Sequence, residues 1–282
     1  MIHGPCVFSI PFKCVMMKKE KEGIGLKIQV LMENTPEDDR FVSEHGLSLY
    51  IEAGGRKILF DAGQSGAFAE NAEKLGVDLT AVDLAILSHG HYDHGGGLHR
   101  FMQINSSAPV YLSRHAFEPH FNGAGRDIGL DPALASGDRL VYVDGEMTLG
   151  AGLSIHSCND RKQWYPLEPF GLTMGDGKPE DFRHELYLLA CEGEKRILIS
   201  GCSHKGILNI VQWFQPDVLV GGFHFKQMSP TDPRLTQRAE ILRNHPTMYY
   251  TGHCTGAEQF AAMKPVLQDR LCAFRSGSTI LI

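Results

Sequence analysis

The sequence predicts an α+β protein built as a four-layer αββα sandwich. Three observations lead to this fold class. β-Hairpins recur along the chain, two similar halves each order their elements as hairpin, helix and strand, and no linker or low-complexity segment separates them. Frequent hairpins favour two mixed sheets covered by helices over a doubly wound parallel sheet.

The first half supplies one hairpin, one helix and two further strands. "LKIQVLMEN", from Leu26, is typical of a strand, and "LSLYIEAGGRKILFDAG" of a hairpin that turns at Gly54 and Gly55. "SGAFAENAEKLGVD" has helical spacing and ends at Gly76. "LAILS" and "APVYLS" are short apolar strands, so this half is expected to form one sheet with a helix against it.

The second half repeats this order. "DRLVYVDGEMTLGAGLSIHSC" alternates as a meander of short strands, and "LYLLACEGEKRILISGCS" is a second hairpin. Helices are predicted in "GILNIVQWF", "PRLTQRAEILRNH" and "AEQFAAMKPVLQDR", and β structure in "DVLVGGFHF", "TMYYTGHC" and "LCAFRSGSTILI". We therefore expect an irregular N-terminal arm over residues 1–25 and a single domain over residues 26–282.

The amino-acid composition limits the classes of molecule that this protein is expected to bind. The 282 residues carry a net charge of −6, so no global basic field would attract nucleic acid. No apolar run approaches the roughly 20 residues that span a bilayer. Seven scattered cysteines without CxxC spacing favour a reducing, cytoplasmic location. We expect a small-molecule substrate, no nucleic acid and no membrane; the oligomeric state is not predicted.

Potential metal ligands are concentrated in "LSHGHYDHGGGL", directly after the strand "LAILS". His89 and His91 point at one ion from an extended turn, and Asp93 and His94 turn toward a neighbouring position. Neutral imidazoles and carboxylates suit zinc, iron or manganese. This turn therefore predicts ligands for two adjacent cations.

Several motifs identify a family resemblance. "HGHYDH" resembles the H-x-H-x-D-H signature of the metallo-β-lactamase superfamily, and "ILFDAG" resembles its first strand end. "EHGLSLYIE", "LFDAGQSG", "SGCSHKGILNIV", "GGFHF" and "TGHCTG" are similar to a subgroup that includes a dihydropterin–ribofuranosylaminobenzene phosphate synthase of methanopterin biosynthesis. The resemblance covers the chain from about Leu26 onward and implies the fold named above, the metallo-β-lactamase fold.

The resemblance also implies later metal ligands. In "ILISGCSH", Cys202 stands where many members have a metal-bridging aspartate, and we expect His204 to supply the ligand, with Cys202 as the alternative. His253 in "TGHC" matches the late histidine of the second site. Many members also have a histidine before the second hairpin. For that ligand the chain offers three candidates, namely Asp181, His184 and Glu185.

Substrate contacts are predicted from two segments. His224 in "GGFHF" is a candidate for holding substrate or a developing charge. "NDRKQWYPLEPFG" offers two basic residues for a phosphate group, Arg161 and Lys162. It also offers three aromatic residues for stacking on a flat ring, Trp164, Tyr165 and Phe170, although it equally suits a surface loop packed by its own aromatics. An aromatic-lined pocket with a basic edge would favour a heterocyclic phosphate substrate.

These residues predict a dinuclear metal-dependent hydrolase. Two divalent cations, zinc first with iron, manganese or magnesium as alternatives, would activate a hydroxide for attack on a small phosphate- or ester-containing substrate. Asp93 is expected to bind one ion and to orient the proton of the nucleophile. One alternative is transferase chemistry of the synthase type, in which an aromatic partner displaces pyrophosphate from a pterin-methyl diphosphate. Another is a non-catalytic metal-binding protein.

Overall fold

A computed structural model describes residues 25–282. The arm predicted for residues 1–25 lies, except for its last residue, outside the described residues, and the division into arm and single domain stays a prediction. Within residues 25–282, no helix is long and apolar enough to cross a membrane. Cys158, Cys202, Cys254 and Cys272 are free thiols, whereas Cys191 is disulfide-bonded, which the absence of CxxC spacing did not indicate.

Two mixed seven-stranded sheets dominate the described residues. The first has the order β16-β1-β2-β3-β4-β5-β7. Its strands are β1 (Lys27–Met32), β2 (Ser48–Ala53), β3 (Arg56–Phe60), β4 (Leu84–Ile86), β5 (Val110–Ser113), β7 (Leu140–Val143) and β16 (Thr279–Leu281). The predicted first hairpin is β2–β3, in which Leu49 pairs with Phe60.

The second sheet has the order β15-β14-β13-β12-β11-β9-β8. Its strands are β8 (Glu146–Gly150), β9 (Leu153–His156), β11 (Tyr187–Glu192), β12 (Lys195–Ile199), β13 (Val218–Val220), β14 (Met248–Thr251) and β15 (Leu271–Ala273). The predicted meander is split, because β7 joins the first sheet and β8 the second. A separate ribbon pairs β6 (His120–Phe121) with β10 (Thr173–Met174).

Helices cover the outer faces of both sheets. They are α1 (Phe68–Lys74), α2 (Tyr92–Gly95), α3 (Leu98–Ile104), α4 (Ile207–Phe214), α5 (Pro233–Arg243) and α6 (Ala257–Leu267). One apolar cluster lies between the sheets, with members such as Ile58 and Ile197. A second lies under α4–α6 and a third under α1 and α3. Three apolar layers between four structural layers confirm the predicted αββα sandwich.

The direction of the strands determines where the candidate ligand residues lie. β3 and β4 run parallel in the first sheet, and β12, β13 and β14 run parallel in the second. The segments that follow the carboxyl ends of these strands carry Asp61, the "HGHYDH" motif, "GCSH", "GGFH" and "TGHC". The fold therefore gathers segments that are distant in the chain at one edge of the sandwich, as the contact between His94 and His253, 159 residues apart, shows.

Candidate metal centre

The "HGHYDH" segment is held by Asp61, the residue after β3. The Ser88 backbone N–H and the Ser88 hydroxyl each donate to the Asp61 carboxylate over 2.7 Å. The same carboxylate lies 2.7 Å from His94 Nδ1, which places a proton on that nitrogen and makes Nε2 the atom that would face a cation. Asp61 itself has a φ of 59°. A carboxylate at this strand end thus fixes both the backbone and one imidazole of the motif.

Part of the motif is helical rather than an open turn. Asp93 and His94 lie on α2, a single helical turn, while His91 directly before it has extended backbone and His89 lies in a bend. The change of conformation at His91 separates the motif into two pairs of side chains. This is the arrangement that two neighbouring ligand groups require.

The first ligand group contains His89, His91 and His204. One ligand atom from each lies within 4.8 Å of the others, and all three residues are buried. His89 Nε2 faces His204 Nε2 at 3.3 Å. Burial lowers the pKa of both imidazoles well below the usual value and keeps them neutral, which is the form that binds a cation.

The second group contains Asp93, His94, His253 and Cys202. His94 Nε2 lies 3.1 Å from His253 Nε2 and 3.2 Å from Cys202 Sγ. An Asp93 carboxylate oxygen lies 3.3 Å from His253 Nε2. The predicted metal ligands therefore all converge in these two groups, each of which combines residues of "HGHYDH" with residues from later strand ends.

Carboxylates set the charge of this second group. Burial opposes ionisation of Asp93, but the neighbouring His94 and His253 outweigh it and hold the pKa of Asp93 well below its usual value. Burial would likewise lower the pKa of His94, but Asp61 and Asp93 raise it to about 9. The centre thus concentrates ionised carboxylate beside imidazole nitrogens, as a cation site does.

These donor atoms fit two divalent cations. Four ligands at 2.0–2.1 Å around a tetrahedral ion lie about 3.3 Å apart. The contacts of 3.1–3.3 Å between facing nitrogens and sulfur match that spacing. Imidazole, carboxylate and thiol donors of this kind suit zinc and related metals.

The segment before the second hairpin supplies none of the ligands in these two groups. Asp181 is exposed, and its carboxylate accepts from the Arg183 backbone. Glu185 is buried and accepts from the backbone N–H of His204 at 2.7 Å, which orients the "GCSH" segment. His184 lies on the far side of His91, where it accepts from the Gly90 backbone N–H.

The sequence predicts His204 as the ligand of this segment, with Cys202 as the alternative. The structure brings both side chains to the centre, one to each group. Burial raises the pKa of the Cys202 thiol, and a coordinated cation would deprotonate it outright. The motif order could not assign both residues, because which faces of Cys202 and His204 meet the centre depends on the tight turn at Ser203, whose φ is 58°.

A Cys202→Ser substitution is expected to weaken the second cation by at least about 10-fold, the lower end of the loss seen when even an outer partner of a ligand is removed. A hydroxyl replaces a thiolate of much higher affinity for zinc. Competition with a chromophoric chelator measures the effect. Cys158→Ser, at another buried free thiol, is the matched control. Equal affinity in Cys202→Ser and the parent protein would show that the sulfur is not a ligand.

A cavity of about 720 Å³ reaches the ligand groups only at His253. Two other cavities reach His204 of the first group. The larger of these two, here called the larger cavity, has a volume of about 420 Å³ and is bordered by His45, His91, Asp93, His253 and Lys226 among other residues. His45 Nε2 lies 3.3 Å from Asp93, and sequence reasoning did not include this residue because an isolated histidine before a strand carries no ligand spacing. The larger cavity is the space in which a substrate would meet the ligand groups.

The smaller cavity, of about 110 Å³, is aromatic. Tyr165, Phe170, Phe223 and Phe225 line it, and Arg238 lies at its edge. His204 and His224 border both cavities, and both ring nitrogens of His224 are buried without a hydrogen-bond partner. His224 is thus positioned to contact a molecule that occupies either space.

Neither Arg161 nor Trp164 lines these two cavities. The Trp164 side chain is 40% exposed, and the Lys162 ammonium lies 4.0 Å from its ring centroid. From the same segment, Tyr165 and Phe170 face the aromatic cavity instead. Of the three aromatic residues that the segment offered for stacking, Tyr165 and Phe170 therefore contribute to the cavity wall and Trp164 does not.

Comparison with known proteins identifies one family and two similar proteins. The family profile of the metallo-beta-lactamase superfamily matches residues 44–207. The protein MJ0448 of Methanocaldococcus jannaschii is 30% identical over 240 residues, which are 81% of this chain and 90% of that protein. The 7,8-dihydropterin-6-methyl-4-(beta-D-ribofuranosyl)-aminobenzene-5'-phosphate synthase of the same organism is 29% identical over 269 residues, 82% of this chain and 88% of the synthase. These matches confirm the resemblance drawn from the motifs.

Among solved structures, Tm1679 is similar in both sequence and fold. It is described as a metal-dependent hydrolase of the beta-lactamase superfamily. Its TM-score is 0.75 at 26% identity, over 91% of this chain and 99% of Tm1679.

Proposed function

Because the chain belongs to the metallo-beta-lactamase superfamily, we propose that it is a metal-dependent hydrolase acting on a small phosphate- or ester-containing substrate. The observation that carries the proposal is the pair of facing imidazole contacts, His89 with His204 and His94 with His253, beside an open cavity. The residues that would hold two divalent cations are His89, His91 and His204 in the first group, and Asp93, His94, Cys202 and His253 in the second.

When bound, such ions supply Lewis acidity and lower the pKa of a water molecule toward neutrality. Residues of the chain itself would orient the water and bind the substrate. Asp93 is the sole carboxylate among the residues that border the larger cavity, and its depressed pKa keeps it ionised at neutral pH. It is therefore suited to accept a hydrogen bond from the attacking water and so to orient it. Lys226, at the edge of the cavity, is suited to bind an anionic group of the substrate.

The test is metal analysis of the purified protein, followed by a panel of phosphoesters, esters and lactones on that metal-loaded form. We expect about two divalent ions per chain and turnover of at least one class, abolished by a chelator and restored by the metal. A protein that binds no divalent ion contradicts the proposal. Full metal loading without turnover across the panel favours a non-catalytic metal-binding protein instead.

The aromatic cavity favours a second candidate, transfer chemistry on a ring-bearing diphosphate, as in the synthase that is 29% identical. Its aromatic walls suit a flat heterocycle, and the one arginine that lines it, Arg238, is ion-paired with Glu168 of the same cavity. His204 and His224 border both cavities, so a ring in the smaller one would place its phosphate near the ligand groups. Formation of a condensed product and pyrophosphate from a pterin-methyl diphosphate and an arylamine would distinguish this reaction from hydrolysis.

A Tyr165→Leu variant separates a ring-binding role from general packing. We expect kcat/KM for an aryl phosphoester to fall about 2- to 10-fold relative to an alkyl phosphoester, because an aromatic contact contributes roughly 0.5–1.5 kcal/mol beyond its area. Tyr142→Leu, at an exposed tyrosine on β7, is the control. An unchanged aryl-to-alkyl ratio in Tyr165→Leu contradicts ring binding in this cavity.

A further inference from the structure

A second group of buried polar side chains lies behind His91, away from the larger cavity. It consists of His120 on β6, with Glu180 and His184 from the segment before β11. With His91, each offers one donor or acceptor atom within 4.8 Å of the others, and all four residues are at most 4% exposed. Neither ligand group of the proposed metal centre uses His120, Glu180 or His184.

The hydrogen-bond partners fix the protons in this group. The Gly90 backbone N–H donates to His184 Nδ1 over 2.8 Å, so the proton of that neutral ring is on Nε2. His120 Nδ1 lies 2.8 Å from Glu180 Oε2 and donates to it, which leaves the Nε2 lone pair of His120 as an acceptor. Both Nε2 atoms are buried without a hydrogen-bond partner.

His91 completes the set. Its Nε2 is also buried and unpartnered, while the residue borders the larger cavity. If His91 acts in the first ligand group through Nδ1, its Nε2 carries a proton that needs an acceptor. The four residues then present two donors, on His91 and His184, and two acceptors, on His120 and on Glu180 Oε1.

Two donors and two acceptors are the complement of one water molecule, which accepts two hydrogen bonds and donates two. Four atoms around a water at about 2.9 Å lie at most roughly 4.7 Å apart in a regular tetrahedron. The four residues offer atoms within 4.8 Å of one another, and His184 Nε2 lies 3.7 Å from Glu180 Oε1. A cation fits less well, because His184 cannot offer a lone pair at Nε2 while Nδ1 accepts from Gly90.

We propose that His120, Glu180 and His184 bind one buried water that accepts the Nε2 proton of His91, and that they act as positioning residues for this metal ligand. The inference rests on the proposed function, because it assigns His91 to the first ligand group. Its consequence is that the orientation and protonation of His91 are set before any cation binds.

Two substitutions test the network. Glu180→Gln replaces one of two acceptor oxygens by an amide donor, so either His120 Nδ1–H or the water O–H that faces Glu180 Oε1 loses its acceptor. His120→Phe removes the nitrogen that faces the water. His156→Phe is the matched control, since His156 is an equally buried imidazole, bonded to Ser154 on β9, that borders neither cavity.

The readouts are the two dissociation constants for zinc, measured by chelator competition, and the visible spectrum of the cobalt-substituted protein. Both test variants should weaken one of the two ions about 10- to 100-fold and leave the other unchanged, the range typical of lost outer partners of metal-bound histidines. The cobalt spectrum should change in both and stay as in the parent protein in His156→Phe.

Unchanged zinc affinities in both variants would overturn the inference while leaving the proposed function intact. A third zinc per chain that disappears in Glu180→Gln would also overturn it, because the group would then be a cation site. A parent protein that binds no divalent ion would refute the proposed function, and this inference with it.

Discussion

A His253→Ala variant is expected to retain one of two divalent cations and to lose turnover by at least about 100-fold, the upper loss known for outer partners alone. His253 Nε2 lies 3.1 Å from His94 and 3.3 Å from Asp93, so its removal takes one donor from the second group only. Its backbone N–H donates to Glu33, and this contact does not depend on the side chain. Metal content and steady-state kinetics on the same preparation measure both effects.

Two further variants make this result specific. His89→Ala should lose the other ion, because His89 faces His204 in the first group. His99→Ala, at an exposed histidine bonded to Asp131, should keep both ions and full turnover. If His253→Ala also keeps both ions and full turnover, His253 is not a ligand and the second group is wrongly composed.

Removal of bound cations is expected to lower the unfolding temperature of the protein by roughly 10–20 °C. A ligand that binds only the folded state at 100 times its Kd adds about 2.7 kcal/mol per site, and 1 kcal/mol shifts the midpoint of a chain of this size by roughly 2–4 °C. The ligands follow strands of both sheets, so unfolding destroys both groups at once. Thermal unfolding with excess zinc and after chelation gives the comparison.

The double variant His89→Ala/His253→Ala serves as the control for chelation. Its unfolding temperature should respond little to zinc or chelator, because each group lacks one donor. If the parent protein unfolds at the same temperature with and without chelator, the buried imidazoles do not bind divalent ions under those conditions.

Local pattern was sufficient to predict most of the fold. The Gly54-Gly55 turn and the alternation around it predicted the β2–β3 hairpin, and the apolar run of "LAILS" predicted β4. Chain crossings between sheets were not predictable in the same way. The two residues between β7 and β8, Asp144 and Gly145, are typical of a hairpin turn. Only packing against the opposite sheet places β7 and β8 in different sheets.

The candidate site was predictable where ligands share one short segment or follow a recognisable strand end. His89, His91, Asp93 and His94 have this property, as does His253. His45, His120 and Glu180 do not, because each is a single polar residue whose neighbours along the chain carry no ligand spacing. Their relation to the centre depends on long-range packing that brings β6 and the segment before β11 behind His91.

The outer boundary of the two cavities comes from a different part of the chain than the donor atoms. Asn122, Tyr165, Phe170 and Leu172 belong to the stretch between β5 and β11, around the small β6–β10 ribbon, and none of them lies in either seven-stranded sheet. Insertions or exchanges there would reshape what the cavities admit without shifting a single strand end. Selectivity for one compound over another can therefore diverge between relatives faster than the chemistry they share.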